Sequence, residues 1–153
     1  MANGDRSHRE DPFDLDRFLN VQYTDYEIAL SELRNGHKLS HWMWYIFPQI
    51  DGLGFSATTK RYSIKSRKEA EAYLTHPILG ARLQECAEAV LAVEGRSIAQ
   101  ILGSPDDLKL QSCATLFDSV SAPGSVFDRI LEKYYDGKRD TKTMQILQRL
   151  ASS

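Results

Sequence analysis

The chain has only two cysteines, no apolar run long enough to cross a bilayer and almost no net charge. Cys86 and Cys113 both fall inside apolar helical patterns, which excludes a disulfide scaffold and reads as reduced, buried thiols of a cytosolic protein. The missing long apolar run excludes a membrane-spanning helix. With 19 basic against 21 acidic residues, no field of the whole molecule steers it to a nucleic acid duplex or an anionic membrane. Metal-ligand spacing is missing too. His37 and His41 are four apart, but no third ligand stands at helical spacing, so no metal site is expected and no cofactor is implied. Residues 1–11 are polar with no hydrophobic centre, which excludes a secretory signal and reads as a disordered tail before one domain over 12–151.

What remains reads as helices. Start signals recur: Asp11-Pro12, the capping boxes Thr24 with Glu27, Ser66 with Glu69 and Ser97 with Gln100, and the variants Ser104-Pro105-Asp106-Asp107 and Ser125 with Asp128. Glycines 36, 95, 103 and 137 stand just past apolar-periodic stretches, where a left-handed terminal residue costs least if it is glycine. Tyr26, Ala29, Leu30 and Leu33 keep helical period, as do Ile78, Leu79, Leu83, Cys86, Ala87, Val90 and Leu91. Strand-like alternation is confined to the neighbourhood of Tyr62 and Ile64. The prediction is an all-α, compact single domain of about seven or eight short helices.

Residues 40–56 concentrate the aromatics. Both tryptophans, Tyr45 and Phe47 precede Pro48-Gln49 and a Gly-Leu-Gly-Phe-Ser exit. A short helix over 40–47, apolar on every side and stopped by Pro48, is expected to be central, with Trp42, Trp44 and Phe47 in the core. Trp44 is the indole that could instead floor a pocket. From Pro48 to about Lys65 no helix signal appears, and a loop of that length in a compact domain carries function or lacks order. Its glycines, Ser56, Thr58, Thr59, Lys60 and Arg61 are suited to an anion, because backbone amides, hydroxyls and cations all favour one. It lacks the Gly-Lys-Ser/Thr ending of a Walker loop. Lys65, Arg67 and Lys68 read equally as a solvated basic helix start.

The run 36–49, the Gly-Leu-Gly-Phe-Ser at 52–56, Tyr62-Ser-Ile, His76-Pro-Ile-Leu-Gly-Ala-Arg-Leu and the Lys-Leu-Gln-Ser-Cys-Ala-Thr-Leu-Phe run ending at Phe117 resemble the signature of the domain-of-unknown-function 1810 family over roughly residues 13–150. The resemblance implies a small cytosolic, mostly bacterial, all-α domain with no established activity. Some members carry the label calpastatin, but calpastatins are long disordered inhibitors, whereas this chain has the apolar content and caps of a folded domain. It departs from the pattern at Tyr45, usually phenylalanine, and at Gln111-Ser-Cys-Ala.

A pocket, if present, would draw its lining from these same segments. Trp44, Gln49, Gly54, Ser56, Lys60 and Tyr62 come from the aromatic block and its exit; His76 and Arg82 from the next helix; Lys109, Ser112 and Thr115 from a helix on which they recur every three residues. Each has a plainer alternative: His76 as a cap, Arg82 in a surface pair with Glu85 or Glu88, the α-helical row as a polar seam. Ser40-His41 is not a nucleophile pair, since adjacent helical residues diverge. Three functions fit: an N-glycosidase-type enzyme on a phosphate-bearing small molecule such as a nucleotide or ADP-ribose derivative, with His41, Asp106 and Asp140 as candidate catalytic groups; a module that binds such a ligand without chemistry; and a protein–protein interaction domain using exposed aromatics. Oligomeric state is not legible.

Overall fold

A computed structural model describes residues 11–152. The expected tail therefore lies outside the described residues except for Asp11. Nine helices follow in order among the described residues: α1 Asp16–Arg34, α2 Met43–Ile46, α3 Ala57–Tyr62, α4 Arg67–Thr75, α5 Leu79–Leu91, α6 Ile98–Leu102, α7 Asp106–Asp118, α8 Val126–Tyr135 and α9 Thr141–Ser152. The class is all-α, as predicted. No strand accompanies them among the described residues; the alternation near Ile64 becomes a single parallel bridge between Ile50 and Ile64. That bridge closes the 51–63 excursion at its base, with Asp51 N donating to Ile64 O at 2.8 Å and Ile64 N to Gln49 O at 2.8 Å.

Packing follows the apolar stripes. α1 crosses α5, and α5 and α7 each pack on α8. Phe18, Ala29, Leu33, Tyr73, Leu79, Leu83, Val90, Cys113, Phe117 and Ile130 form a continuous core between them. Trp42 is 1% exposed and Phe47 is equally buried, so the aromatic turn is central; Trp44 is half-buried. Gly80 lets α5 approach the end of α4. A Cβ built there would lie 2.0 Å from the Leu74 carbonyl oxygen.

Several expected boundaries move. Pro12 does not open α1, which starts four residues later. Asp11 reaches across the intervening turn, its carboxylate accepting from Leu15 N (2.7 Å) and Asp16 N (3.1 Å). Thr24–Glu27 is not a helix start, because the Phe18–Gln22–Tyr26 stripe carries the helix straight through it and Thr24 Oγ1 turns back to Val21 O. The helix expected over 40–47 shrinks to one turn. The stretch expected to lack a helix contains α3, capped by Ser56 Oγ, which accepts from Thr59 N at 3.1 Å. Ser104 does not cap α7, whose first-turn Asp106 and Asp107 complement its positive end instead. Ser66, Ser97 and Ser125 cap as expected, Ser97 with its full reciprocal box.

Candidate functional site

Two buried charged residues of α1 organise everything around the aromatic turn. Glu32 accepts from Leu39 N, Ser40 N, Ser40 Oγ and Trp42 Nε1 at 2.6–3.0 Å. Burial alone would raise its pKa, but those four donors outweigh it and hold the carboxyl down at about 2. Arg17 does the same for the next segment. Its Nε donates to Arg61 O (2.8 Å), Nη1 to Phe13 O (2.6 Å) and Asp14 O (2.7 Å), and Nη2 to Ser63 O (2.9 Å) and Glu69 Oε2 (2.6 Å). The other Glu69 oxygen accepts from Lys65 N at 2.9 Å. Neither residue was singled out from sequence. The available signal was a polar residue in phase with an apolar stripe, Glu32 three residues after Ala29.

The Arg17 node ties together the turn at 12–14, the end of α3 and the start of α4. Between them opens a cleft of about 520 Å³ lined by Pro12, Phe13, Asp14, Arg17, Lys60, Arg61, Lys65, Ser66 and Glu69. Arg17 and Glu69 neutralise each other beneath it. Lys60, Arg61 and Lys65 are exposed at its rim against the single acid Asp14, so the cleft presents excess positive charge. Lys65 also lies 3.5 Å from the exposed Asp51. Phe13 and Pro12 supply an apolar wall. Other recesses have the opposite character: one of about 450 Å³ holds His76 with Asp11 and Asp16, and one of about 690 Å³ holds Glu85 and Glu88 with Arg34.

The sequence-derived candidates divide. Trp44, Gln49 and Tyr62 meet Leu53 and Thr59 around a void of only about 10 Å³, room for one water at most and for no ligand. Gly54 and Ser56 lie beside it, but Gly54 serves close approach to Thr59, whose Cγ2 a Cβ would meet at 2.6 Å, and Ser56 caps α3. Lys109 Nζ sits 5.4 Å above the Trp44 ring and 3.3 Å from Asp106, which also pairs with Lys38 at 3.0 Å. Asp106 is thus committed to two lysines. His41 is exposed, and its carbonyl accepts from the Tyr45 hydroxyl at 3.1 Å.

The remaining candidates serve the scaffold. His76 Nδ1 accepts from Ile78 N and Leu79 N at 3.1 and 3.2 Å, capping the start of α5. Arg82 turns from Glu85 and Glu88 to α1, 4.8 Å over the Tyr26 ring with Nη1 3.4 Å from Gln22 Oε1, while the Tyr26 hydroxyl takes Glu85. Ser112 and Thr115 donate to the carbonyls of Leu108 and Gln111. Thr115 also accepts from Asp140 N at 2.9 Å, and the Asp140 carboxylate caps α9 through Thr143 N and Oγ1. Of that row only Thr115 makes a polar seam with the start of α9; Ser112 bonds within α7 and Lys109 turns to Trp44 and Asp106. Burial pushes the Cys86 thiol up to about 12 and Cys113 well above its ordinary value, so neither is a thiolate nucleophile at neutral pH. No group of three or more His, Cys, Asp or Glu able to hold a metal ion occurs among the described residues.

No curated protein matches the chain. A solved structure does: the crystal structure of the conserved hypothetical protein Rv1873 from Mycobacterium tuberculosis shares 49% identity and a TM-score of 0.89, over 90% of this chain and 99% of that one. The family described as protein of unknown function DUF1810 matches residues 12–147, spanning the aromatic turn, the Arg17 node and the α7–α9 seam, and the chain belongs to that family.

Proposed function

We propose that the protein binds a phosphate-bearing small molecule, a nucleotide or ADP-ribose derivative, in the cleft between the 12–14 turn and the α3–α4 junction. The observation that carries the reading is the excess of cations at the rim of a 520 Å³ recess beside an exposed edge of Phe13 and Pro12. Charged hydrogen bonds from Lys60 and Arg61 suit phosphate oxygens. Lys65, which donates to Lys60 O and Ser63 Oγ and pairs with Asp51, adds charge at the rim, and the apolar wall suits a planar base or a ribose face. Because Arg17 uses all its donors on the walls, the recess is formed in advance of binding, which spares a ligand the cost of ordering it.

Binding without chemistry fits better than hydrolysis. Glu69 has both oxygens committed, and His41, Asp106 and Asp140 do not line the cleft. The interaction reading required an indole exposed on a convex surface, whereas Trp42 is buried and Trp44 lies beneath Lys109. Two buried unpaired thiols support a cytoplasmic setting, and the mycobacterial relative supports a bacterial one.

A thermal-shift series with pyrophosphate, ADP and ADP-ribose tests this. Wild-type protein should gain stability with each, and the Lys60→Glu/Arg61→Glu double variant should not. Equal shifts in the two proteins, or none in either, would remove the cleft from consideration.

A further inference from the structure

The near-balance of charge over the whole chain conceals a segregation. Residues 52–68 hold five of the 19 basic residues and none of the 21 acidic ones, leaving 14 basic against 21 acidic elsewhere. Those five are Lys60, Arg61, Lys65, Arg67 and Lys68; Arg67 is half-buried and the others are exposed. Lys60 and Lys68 have no ion-pair partner among the described residues. The same segment carries α3, none of whose residues is buried, and directly before its cap stands Phe55 with 82% of its surface exposed. Thr59 and Tyr62 face the body of the protein, so Ala57, Thr58, Lys60 and Arg61 face outward.

The geometry points to a peripheral docking surface for an anionic lipid bilayer, with Phe55 entering the headgroup–acyl boundary and Lys60, Arg61 and Lys68 lying against the phosphates, while Lys65 and Arg67 are engaged with Asp51 and the Ser119 carbonyl. This goes beyond the small-molecule reading while sharing Lys60 and Arg61 with it. An isolated apolar tip among cations on a segment without acids suits a bilayer, where charge attraction and shallow insertion add. It suits single-stranded nucleic acid less well. Stacking needs successive aromatics, and the other aromatic of the segment, Tyr62, is packed 5.9 Å from Phe18 and 5.3 Å from Tyr45. Nor can α3, with six residues, read a groove as a recognition helix does. An acidic protein partner would require an apolar patch broader than one phenylalanine.

Co-sedimentation of the full chain with phosphatidylcholine vesicles, with and without phosphatidylglycerol, tests the inference. The protein should pellet with the anionic vesicles at low salt, release at high salt and ignore the neutral ones. Phe55→Ser should weaken vesicle binding about tenfold, the scale of one lost buried aromatic side chain, with thermal stability and pyrophosphate affinity unchanged. Lys60→Glu/Lys68→Glu should abolish it. Failure of wild-type protein to bind anionic vesicles, or equal binding by Phe55→Ser, overturns the docking surface. Pyrophosphate binding without vesicle binding overturns this inference alone; vesicle binding without pyrophosphate binding supports it and sinks the cleft reading instead.

Discussion

Glu32 is where burial and charge conflict most sharply, and its four donors decide the outcome. The folded carboxyl titrates near 2, below its ordinary value of 4.5, so its contribution is present above about 4.5 and is lost as pH falls from there toward 2. The difference in unfolding midpoint between wild type and Glu32→Gln should therefore be large at neutral pH, about 2–3 kcal/mol in stability terms, and should close on acidification. A gap independent of pH would show that the charge is not what holds residues 39–42. Gly80 gives a second test at this scale. Alanine there drives a methyl into the backbone oxygen of Leu74, which no rotamer change relieves, so Gly80→Ala should cost about 1–3 kcal/mol by chemical denaturation. Local signals such as the Ser97 box and the His76 cap were legible because both partners lie within three residues of one another. Arg17 was not, because its partners at 61, 63 and 69 come together only after the chain turns back.

At the scale of elements, Ser66, Ser97 and Ser125 mark the starts of α4, α6 and α8, while Asp11-Pro12, Thr24 and Ser104 open no helix and α3 escapes. α3 has no buried residue and hence no apolar stripe to read; its cap, Ser56, reads from sequence equally well as a ligand's hydrogen-bond partner. The opposite error occurred at Thr24–Glu27, where a capping pattern sits inside a helix that tertiary packing extends through it. The periodic row on α7 was legible as a row, but its two meanings, phosphate contact and interhelical seam, cannot be separated until α9 is seen beside it. Thr115 and Asp140 form that seam: Asp140→Ala removes a cap and should lower stability by about 1 kcal/mol, read as a fall in the denaturation midpoint. Reversing Lys60 and Arg61 should leave stability within about 0.5 kcal/mol of wild type, since both are exposed and paired with no acid. A collapse of the fold in that double variant would mean α3 is a structural clamp.

For the molecule as a whole, the charge total misled where its distribution informs. A balance near zero says nothing about where the charges sit, and the cations of the 60–68 stretch are legible in the sequence without showing that three of them border a cleft. The aromatic turn is core at Trp42 and Phe47, as its all-round apolar pattern predicts, and it encloses almost no free volume at Trp44, the indole that could have floored a pocket. The recess with excess positive charge lies where Arg17 ties the 12–14 turn, the end of α3 and α4 together through the carbonyls of Phe13, Asp14, Arg61 and Ser63 and the Glu69 carboxylate. The most direct test is a titration of isotopically labelled protein with pyrophosphate, followed by amide chemical shifts. Saturable shifts confined to residues 13–17 and 60–69 are the predicted result. Shifts centred on Trp44 and Lys109, or none that saturate, would contradict it.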